Sequence, residues 1–434
     1  MRDIDGDEAA VVSFIQETAS RVARVYNYSE VILPTIEESE LFTRAAGATS
    51  DIIEKQMYVF KDKGERIVAL RPEGTAGAAR YYVQSAMPAI AQKGIPFVKI
   101  FYRGSMFRYE RPQAGRYREF IQWGAEYFGN AEPLCDTEVI SLLDAILEKC
   151  GLDERTLDIN SLGCARCRPS YVSALKEFAD GISGTLCEDC KRRLVSNPLR
   201  ILDCKIDSPK ISSSKNFPRA IDFLCQDCSR HYDSVKKNLD ASGIKYSENH
   251  LLVRGLDYYT RTVFEIKSAF SGGAQDAVAA GGRYDNLIEE IGGKPTPAAG
   301  FAIGVERLAE ALINKTGGIS VLEKIKSTLQ GKHRYFIAVT SDGLISDAAA
   351  LAATLRKNGI IAEGPIGNGK SLKNQLSVAS RLNFEKTLIL ADEEFKSREE
   401  ILVKDMATGN QQPVGLKNLI AELIQKKSSQ KQGE

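Results

Sequence analysis

The 434-residue chain carries almost no net charge: Lys+Arg 58 against Asp+Glu 57 leaves +1. No bulk electrostatic field therefore points to a nucleic-acid partner, and any such contact has to be local. Long apolar runs are missing too. No stretch reaches the ~18 apolar residues of a membrane span, which excludes a membrane-embedded helix. The first residues, MRDIDGDEAAVV, hold neither a basic region nor an uninterrupted apolar core, so no export signal is expected and a cytoplasmic protein is the default expectation. Without export there is no oxidising compartment. The nine cysteines are then expected as reduced thiols or metal ligands rather than as a disulfide framework. What remains, 43 % hydrophobic and 26 % charged, is long enough for two or three domains with substantial cores.

The stretch Met106 to Gly129, MFRYERPQAGRYREFIQWGAEYFG, organises the chain. Arg108, Arg111, Arg116 and Arg118 crowd into it around a turn signal at Pro112 and Gly115, between two runs rich in aromatic and β-branched residues. Two strands joined by a basic loop are expected. Alternation over Ile121 to Tyr127 would send Gln122, Gly124 and Glu126 to one face. An arbitrary arginine-rich hairpin is more often a solvated edge, but these residues are more particular than that. The segment resembles motif 2 of the class II aminoacyl-tRNA synthetases, in the form seen in histidyl-tRNA synthetases. The resemblance implies that Arg108 holds the substrate carboxylate and the α-phosphate of ATP, with Phe120 stacked on adenine. A guanidinium fork suits both anions and stays charged.

Upstream, Val11, Phe14, Ile15, Ala19, Val22, Ala23 and Tyr26 fall at helical spacing over Glu8 to Tyr26, and Glu30 to Leu33 reads as a strand stopped by Pro34. This pair resembles motif 1, which in the family builds a dimer interface. Ile67 to Ala76, IVALRPEGTA, reads as a strand running into a turn, with Arg71, Glu73 and Thr75 at spacing two. Such alternation usually marks a solvent face. The LRPEGT match implies instead that Glu73 and Thr75 help hold the α-ammonium of the amino acid. With Gln122 they would supply the three acceptors an ammonium needs.

Downstream, Val139, Leu142, Leu143, Ile146 and Leu147 form one stripe of a helix over Asp136 to Cys150, ended by Gly151, and Leu157 to Ile159 is a short strand. The character then changes. Cys164/Cys167, Cys187/Cys190 and Cys225/Cys228 each have C-x2-C spacing, and Cys204 stands alone. Paired thiolates present two sulfurs to one tetrahedral ion, so a structural zinc site of four cysteines is one reading. Small buried residues of a helical insertion are the other, and the family resemblance does not itself imply zinc.

His250 to Lys267, HLLVRGLDYYTRTVFEIK, contains the most diagnostic match, to the histidine-specific motif R-G-L-D-Y-Y-x-R-T-V-F-E. It implies that Arg254 stands beside the α-phosphate in place of a metal ion, and that Tyr258 and Tyr259 line an imidazole pocket with Glu126. A carboxylate and a phenol together can read both ring nitrogens. Ala279 to Leu287, AAGGRYDNL, matches the second such motif. There Gly281 and Gly282 would let the backbone approach the ligand, and Tyr284 would close the pocket. Ala299 to Leu312 resembles motif 3, which would lay Arg307 over the adenine and γ-phosphate.

After Lys315 to His333, strands at Tyr335 to Thr340, Ile360 to Glu363, Lys386 to Ala391 and Glu400 to Lys404 alternate with helices at Ser346 to Lys357, Ser371 to Leu382 and Leu416 to Lys426. A small, parallel-rich α/β domain is expected. It resembles the anticodon-binding domain of these synthetases, with Lys370, Lys373 and Gln375 as candidate RNA contacts.

The resemblance spans nearly the whole chain. It implies an α+β fold: a class II synthetase antiparallel sheet core flanked by helices, an inserted mainly helical domain and a C-terminal α/β anticodon-binding domain. The expected division is 1–160 and 249–316 for the catalytic core, 161–248 for the cysteine-rich insertion, 317–332 for a linker and 333–434 for the anticodon domain. Arg108, Arg254 and Arg307 are the expected catalytic residues. ATP would meet Arg108, Glu110, Arg116, Phe120 and Arg307, and histidine would meet Glu73, Thr75, Gln122, Glu126, Tyr258, Tyr259 and Tyr284. Arg111, Gln113 and Arg116 would contact the acceptor end of tRNA(His). ATP, Mg2+ and L-histidine are the implied small molecules, and a homodimer the implied assembly; structural zinc would come from Cys164, Cys167, Cys187, Cys190, Cys204, Cys225 and Cys228. Two other classes fit parts of the pattern. A silent, synthetase-like regulatory subunit of ATP phosphoribosyltransferase would lack the anticodon domain and erode the arginine-tyrosine motif. A zinc-stapled nucleic-acid-binding module with a vestigial ATP site would have lost Arg254 or Arg307. All of these features are present here.

Overall fold

The computed structural model describes residues 2–46, 52–88, 95–110, 116–271, 276–315, 325, 334–364 and 371–430. Two compact units divide the chain at Leu322 and Glu323.

In the first unit the helix Gly6–Val25 precedes β1 (Ser29–Glu30), β2 (Ile36–Glu38), β3 (Tyr58–Lys61) and β4 (Ile67–Leu70). Then come β5 (Val98–Phe107), β6 (Glu119–Phe128), β7 (Thr156–Ser161), β8 (Ser247–Glu248), β9 (Thr260–Lys267), β10 (Ala277–Arg283) and β11 (Ala298–Gly304). Eight of these form one sheet in the order β1-β5-β6-β11-β10-β9-β7-β8. Every pairing from β5 to β7 is antiparallel, and only the short outer strands β1 and β8 pair in parallel. A second sheet, β2-β4-β3, is also antiparallel.

One face of the large sheet is covered by the helices Gly6–Val25, Pro133–Cys150 and Val305–Lys315, which also pack on one another. Period-two alternation decides what points there. Trp123 on β6 is fully buried, stacks between Phe101 and Phe301, and donates its indole N–H to Ser20 Oγ at 3.3 Å. Its neighbours Gln122, Gly124 and Glu126 therefore belong to the opposite face. The helix Pro133–Cys150 starts with proline at its first turn and ends at Gly151 in the left-handed region, φ 91°.

Two elements differ from the sequence expectation. The strand expected over Glu30 to Leu33 is confined to Ser29–Glu30. The segment Ile67 to Ala76 is strand only to Leu70, and Thr75 opens a helix, Thr75–Tyr81. Arg71, Glu73 and Thr75 are all buried rather than solvated. Spacing two is shared by a strand face and by a chain folding back into a helix start, so the pattern was ambiguous.

The cysteine-rich segment folds as short helices, Arg168–Gly181, Glu188–Ser196, Ser208–Ser213 and Gln226–Ala241, with 3-10 turns between them. Its apolar side chains, among them Tyr171, Leu175 and Ile201, share one core with Leu252, Val253, Tyr258 and Tyr259.

The second unit is a five-stranded sheet in the order β13-β12-β14-β15-β16, from β12 (Arg334–Val339), β13 (Ile361–Glu363), β14 (Lys386–Leu390), β15 (Glu400–Asp405) and β16 (Gln411–Gly415). β13, β12 and β14 are parallel, whereas β15 and β16 run antiparallel. Phe336, Ala338 and Ile389 feed a core on one face, with Tyr335, Ile337, Val339, Leu388 and Leu390 feeding the other. Gln375 is buried, not an RNA contact as expected: its carboxamide donates to Val339 O at 2.9 Å and accepts from Val339 N at 3.1 Å. Lys373 is exposed at the start of the helix Leu372–Arg381. Lys370 and most of the expected 317–332 linker lie outside the described residues.

Candidate active site

The opposite face of the large sheet carries a fully buried carboxylate. Glu126 on β6 is fully buried and accepts three hydroxyls: Thr75 Oγ1 at 2.8 Å and Tyr102 OH at 3.0 Å on one oxygen, and Tyr284 OH on the other. Burial pushes this carboxyl up to about 8, although the three hydroxyls pull it back. Tyr258, Tyr259 and Tyr284 form an aromatic wall, with ring centroids 4.7, 5.6 and 6.5 Å apart. Burial raises all three phenols, so they are neutral donors. A charge-tunable acceptor inside an aromatic box suits a flat ring bearing N–H groups.

Glu73 and Thr75 serve the structure before any ligand. Both Glu73 oxygens accept backbone N–H groups opening the helix Thr75–Tyr81, from Thr75 at 2.6 Å and Ala76 at 2.8 Å. Each retains lone-pair capacity. Gln122 Oε1 is buried and accepts no hydrogen bond among the described residues, which leaves an acceptor of the kind an ammonium requires.

The arginines lie at three sequence-distant points of this face. Arg108, at the end of β5, donates Nε to Pro72 O at 2.8 Å, and its guanidinium sits 5.2 Å from the Phe120 ring centre. Arg254 pairs with Glu265 at 2.8 Å, and Arg307 donates to Ala277 O at 3.2 Å. Burial lowers the Arg307 pKa, and the field of Arg116 and Arg108 adds to it, with Glu110 and Glu265 offsetting part. Arg307, Arg108 and Arg116 are thus within electrostatic reach of one another. Arg116 and Glu110 form an ion pair at 3.1 Å. Arg111 and Gln113 lie outside the described residues.

Three features were missed in the sequence. Tyr102 reaches Glu126 from the neighbouring strand, and the signal was Gly124, which faces it in register. Glu306, beside Arg307, is buried and accepts Ile121 N at 2.8 Å, fastening β6 to the helix Val305–Lys315. Arg283, in the AAGGRYDNL stretch, is fully buried and paired with Asp136, which also bonds His231 at 3.2 Å. One expectation is corrected here. Gly281 and Gly282 make room for protein rather than ligand, since an added Cβ would meet Gly300 O at 2.2 Å and Thr262 O at 2.6 Å.

An antiparallel sheet that sets arginines around a pocket on one face, joined in sequence to a separate small α/β unit, defines the class II aminoacyl-tRNA synthetases. The comparisons narrow this. A family model described as histidyl-tRNA synthetase matches residues 1–167 and 211–308, and an anticodon binding domain model matches 334–426. A histidine–tRNA ligase of Aquifex aeolicus is 44% identical over 417 residues, covering 96% of this chain and 98% of that one. The apo histidyl-tRNA synthetase of S. aureus superposes with TM-score 0.77 at 33% identity, covering 98% of each chain. An ATP phosphoribosyltransferase regulatory subunit/histidyl-tRNA synthetase from Bacillus halodurans C shares the fold, with TM-score 0.65 at 22% identity over 90% of this chain and 97% of that one. The chain belongs to the histidyl-tRNA synthetase family.

Proposed function

We propose that the protein is a histidine–tRNA ligase that activates L-histidine with ATP and transfers it to the 3′ end of tRNA(His). The observation that carries the reading is Glu126, a buried carboxyl held by Thr75, Tyr102 and Tyr284. Imidazole would meet Glu126 and the tyrosines Tyr258, Tyr259 and Tyr284. A side chain lacking either ring nitrogen would leave buried polar groups unpaired, which gives strong discrimination. The α-ammonium would sit against Glu73, Thr75 and Gln122.

The chemistry then needs positioned charge rather than a nucleophile or base of the protein. Histidine's carboxylate oxygen attacks the α-phosphorus of ATP, a P–O bond forms, and pyrophosphate leaves with its electron pair. Arg108 and Arg254 flank the developing charge, and Arg307 holds the far phosphates. Phe120 offers its face to adenine, with Glu110 and Arg116 beside it. The terminal ribose hydroxyl of the tRNA then attacks the carbonyl carbon and AMP departs, with Arg116 contacting the acceptor end. Hard carboxylate donors are present in Glu110 and Glu265, the acidic partners of Arg116 and Arg254, and these would hold Mg2+ carried in with ATP. When bound, Mg2+ would neutralise phosphate oxygens. We assign the C-terminal unit to the anticodon and residues 161–248 to an inserted domain carrying structural zinc.

A homodimer is proposed as well. Val25, Ile32, Ile36, Val59, Phe60 and Ile67, on or beside β1 to β4, are exposed apolar residues that a second copy would cover. No helix among the described residues is long and apolar enough to cross a membrane, and a cytoplasmic location is proposed.

The test is histidine-dependent ATP–pyrophosphate exchange without tRNA, comparing the protein with Arg254→Ala. Exchange with histidine alone, lost by orders of magnitude in the variant, is expected. Histidine binding without exchange would point to the regulatory-subunit class instead.

A further inference from the structure

The seven cysteines from Cys164 to Cys228 divide into two groups, and spacing alone does not reveal the division. Cys164, Cys167, Cys225 and Cys228 bring four sulfurs together, and Cys187, Cys190, Cys204 and Asp207 bring three sulfurs and a carboxylate oxygen, all within 4.8 Å of one another in each group. The sulfur separations are 3.8 and 3.9 Å in the first group and 3.7 Å between Cys187 and Cys204 in the second, where Cys204 Sγ also stands 3.9 Å from Asp207 Oδ2. A disulfide requires about 2 Å, and all of these cysteines are free. A tetrahedral zinc ion with Zn–S of about 2.3 Å places its sulfurs about 3.8 Å apart. The two sulfur edges given for the first group and the one given for the second match that length.

Asp207 is the residue that the cysteine pattern hides. It is completely buried beside three thiols, where a carboxylate is costly unless paired, and Lys210 offsets part of its charge. Its Oδ2 accepts Cys187 N at 2.8 Å, which fixes its orientation, and Oδ1 meets Lys210 Nζ at 3.2 Å. Cys204, lacking a C-x2-C partner, stands beside Asp207 instead. Cys167, Cys187 and Cys225 each stand at the N-cap of a helix, where backbone N–H groups favour a thiolate.

Both groups are tied to the segment Arg254–Tyr259. Arg168, next to Cys167, donates to Tyr259 O. Arg200, in the turn Pro198–Asp203 leading to Cys204, donates to Arg254 O at 3.2 Å, and Asn197 donates to Asp257 Oδ1 at 2.8 Å. A cavity of about 220 Å³ lies between, lined by Arg168, Arg200, Arg254 and Tyr259 among others. The backbone beside that cavity is therefore held at Arg254, Asp257 and Tyr259.

We propose that the insertion carries two structural zinc centres, one of four cysteines and one of Cys187, Cys190, Cys204 and Asp207, which together clamp the Arg254–Tyr259 segment in place. This extends the zinc reading above from one centre to two and gives the second centre a positioning role for Arg254.

The test begins with metal analysis of the full chain, which should hold two zinc ions. Cys204→Ser and Cys228→Ser should each retain one. With Co2+ in place of zinc, the sulfur-to-metal charge-transfer intensity should stand at about four to three between them, because Cys204→Ser keeps the four-thiolate centre. Asp207→Cys should keep two ions and raise the second centre to four thiolates, whereas Asp207→Ala should weaken it. In Cys204→Ser with its remaining zinc bound, amide exchange over residues 254–259 should rise at least tenfold while that of β6 stays unchanged. One zinc per chain, unaltered in Cys204→Ser, would overturn the second centre, and a folded protein without zinc would overturn both. Unchanged amide exchange would overturn the clamp. Two zinc ions in a protein without histidine-dependent exchange would fault the ligase reading and leave this one standing.

Discussion

Tyr102 on β5 and Gly124 on β6 face each other in register, and a Cβ on Gly124 would lie 2.5 Å from the Tyr102 ring and hydroxyl. The missing side chain is what lets Tyr102 lie flat over β6 and donate to Glu126 at 3.0 Å. A residue assigned to the binding face by alternation thus acts through the space it leaves.

Gly124→Ala should push Tyr102 off Glu126. Losing a hydrogen bond to a protonated carboxyl, about 0.5–1.5 kcal/mol, corresponds to a rise of about 2- to 13-fold in the KM for histidine. ATP–pyrophosphate exchange over a histidine titration measures it. An unchanged KM would show that Tyr102 does not shape the pocket.

The Glu126 carboxyl, pushed up to about 8 by burial, gives a pH dependence of known sign. The folded state keeps a proton that the unfolded chain releases near the ordinary glutamate range, about 4.3. Its stabilising effect is therefore complete below that range and declines as pH rises towards 8, by about 1.4 kcal/mol per pH unit. Urea midpoints of the protein minus those of Glu126→Gln should show this slope in the unliganded state. A flat difference would mean the carboxyl titrates normally.

Asp136→Asn should take the closer of its two carboxylate partners from the fully buried Arg283 guanidinium and leave it only Asp285, at 3.0 Å. Breaking a buried pair costs about 3–5 kcal/mol. The loss should appear in denaturant unfolding of the first unit. It should also loosen the helix Gln226–Ala241, because His231 on that helix bonds the same carboxylate.

Gln375→Ala should remove both bonds to Val339 and leave two buried backbone groups unpaired. A cost of about 1–3 kcal/mol per group is expected, confined to unfolding of the second unit. Histidine-dependent exchange, a property of the first unit, should not change. A selective loss of tRNA binding at unchanged stability would restore Gln375 as an RNA contact.

What the sequence determined were the features written in local order. The arginines and the two tyrosine-bearing histidine motifs are short contiguous stretches, legible through their resemblance to the family's motifs, and the helix Pro133–Cys150 was legible from its 3.6 period. Gln122 and Glu126 could be set on one face of β6 by the 2.0 period of a strand. Only the tertiary structure decided the rest, because it depends on groups far apart in the chain. Spacing two at Arg71, Glu73 and Thr75 fits a strand or a helix start equally, and it was burial against β5 and β6 that chose the latter. The partners of Glu126 come from residues 75, 102 and 284, and no local period links these positions. The cysteine pairs fixed which sulfurs sit two by two; how the pairs combine, and that Cys204 joins Asp207, was settled by helices folding back on one another. Local backbone preference is additive along the chain. A buried polar group instead takes whichever partner the packed core brings to it.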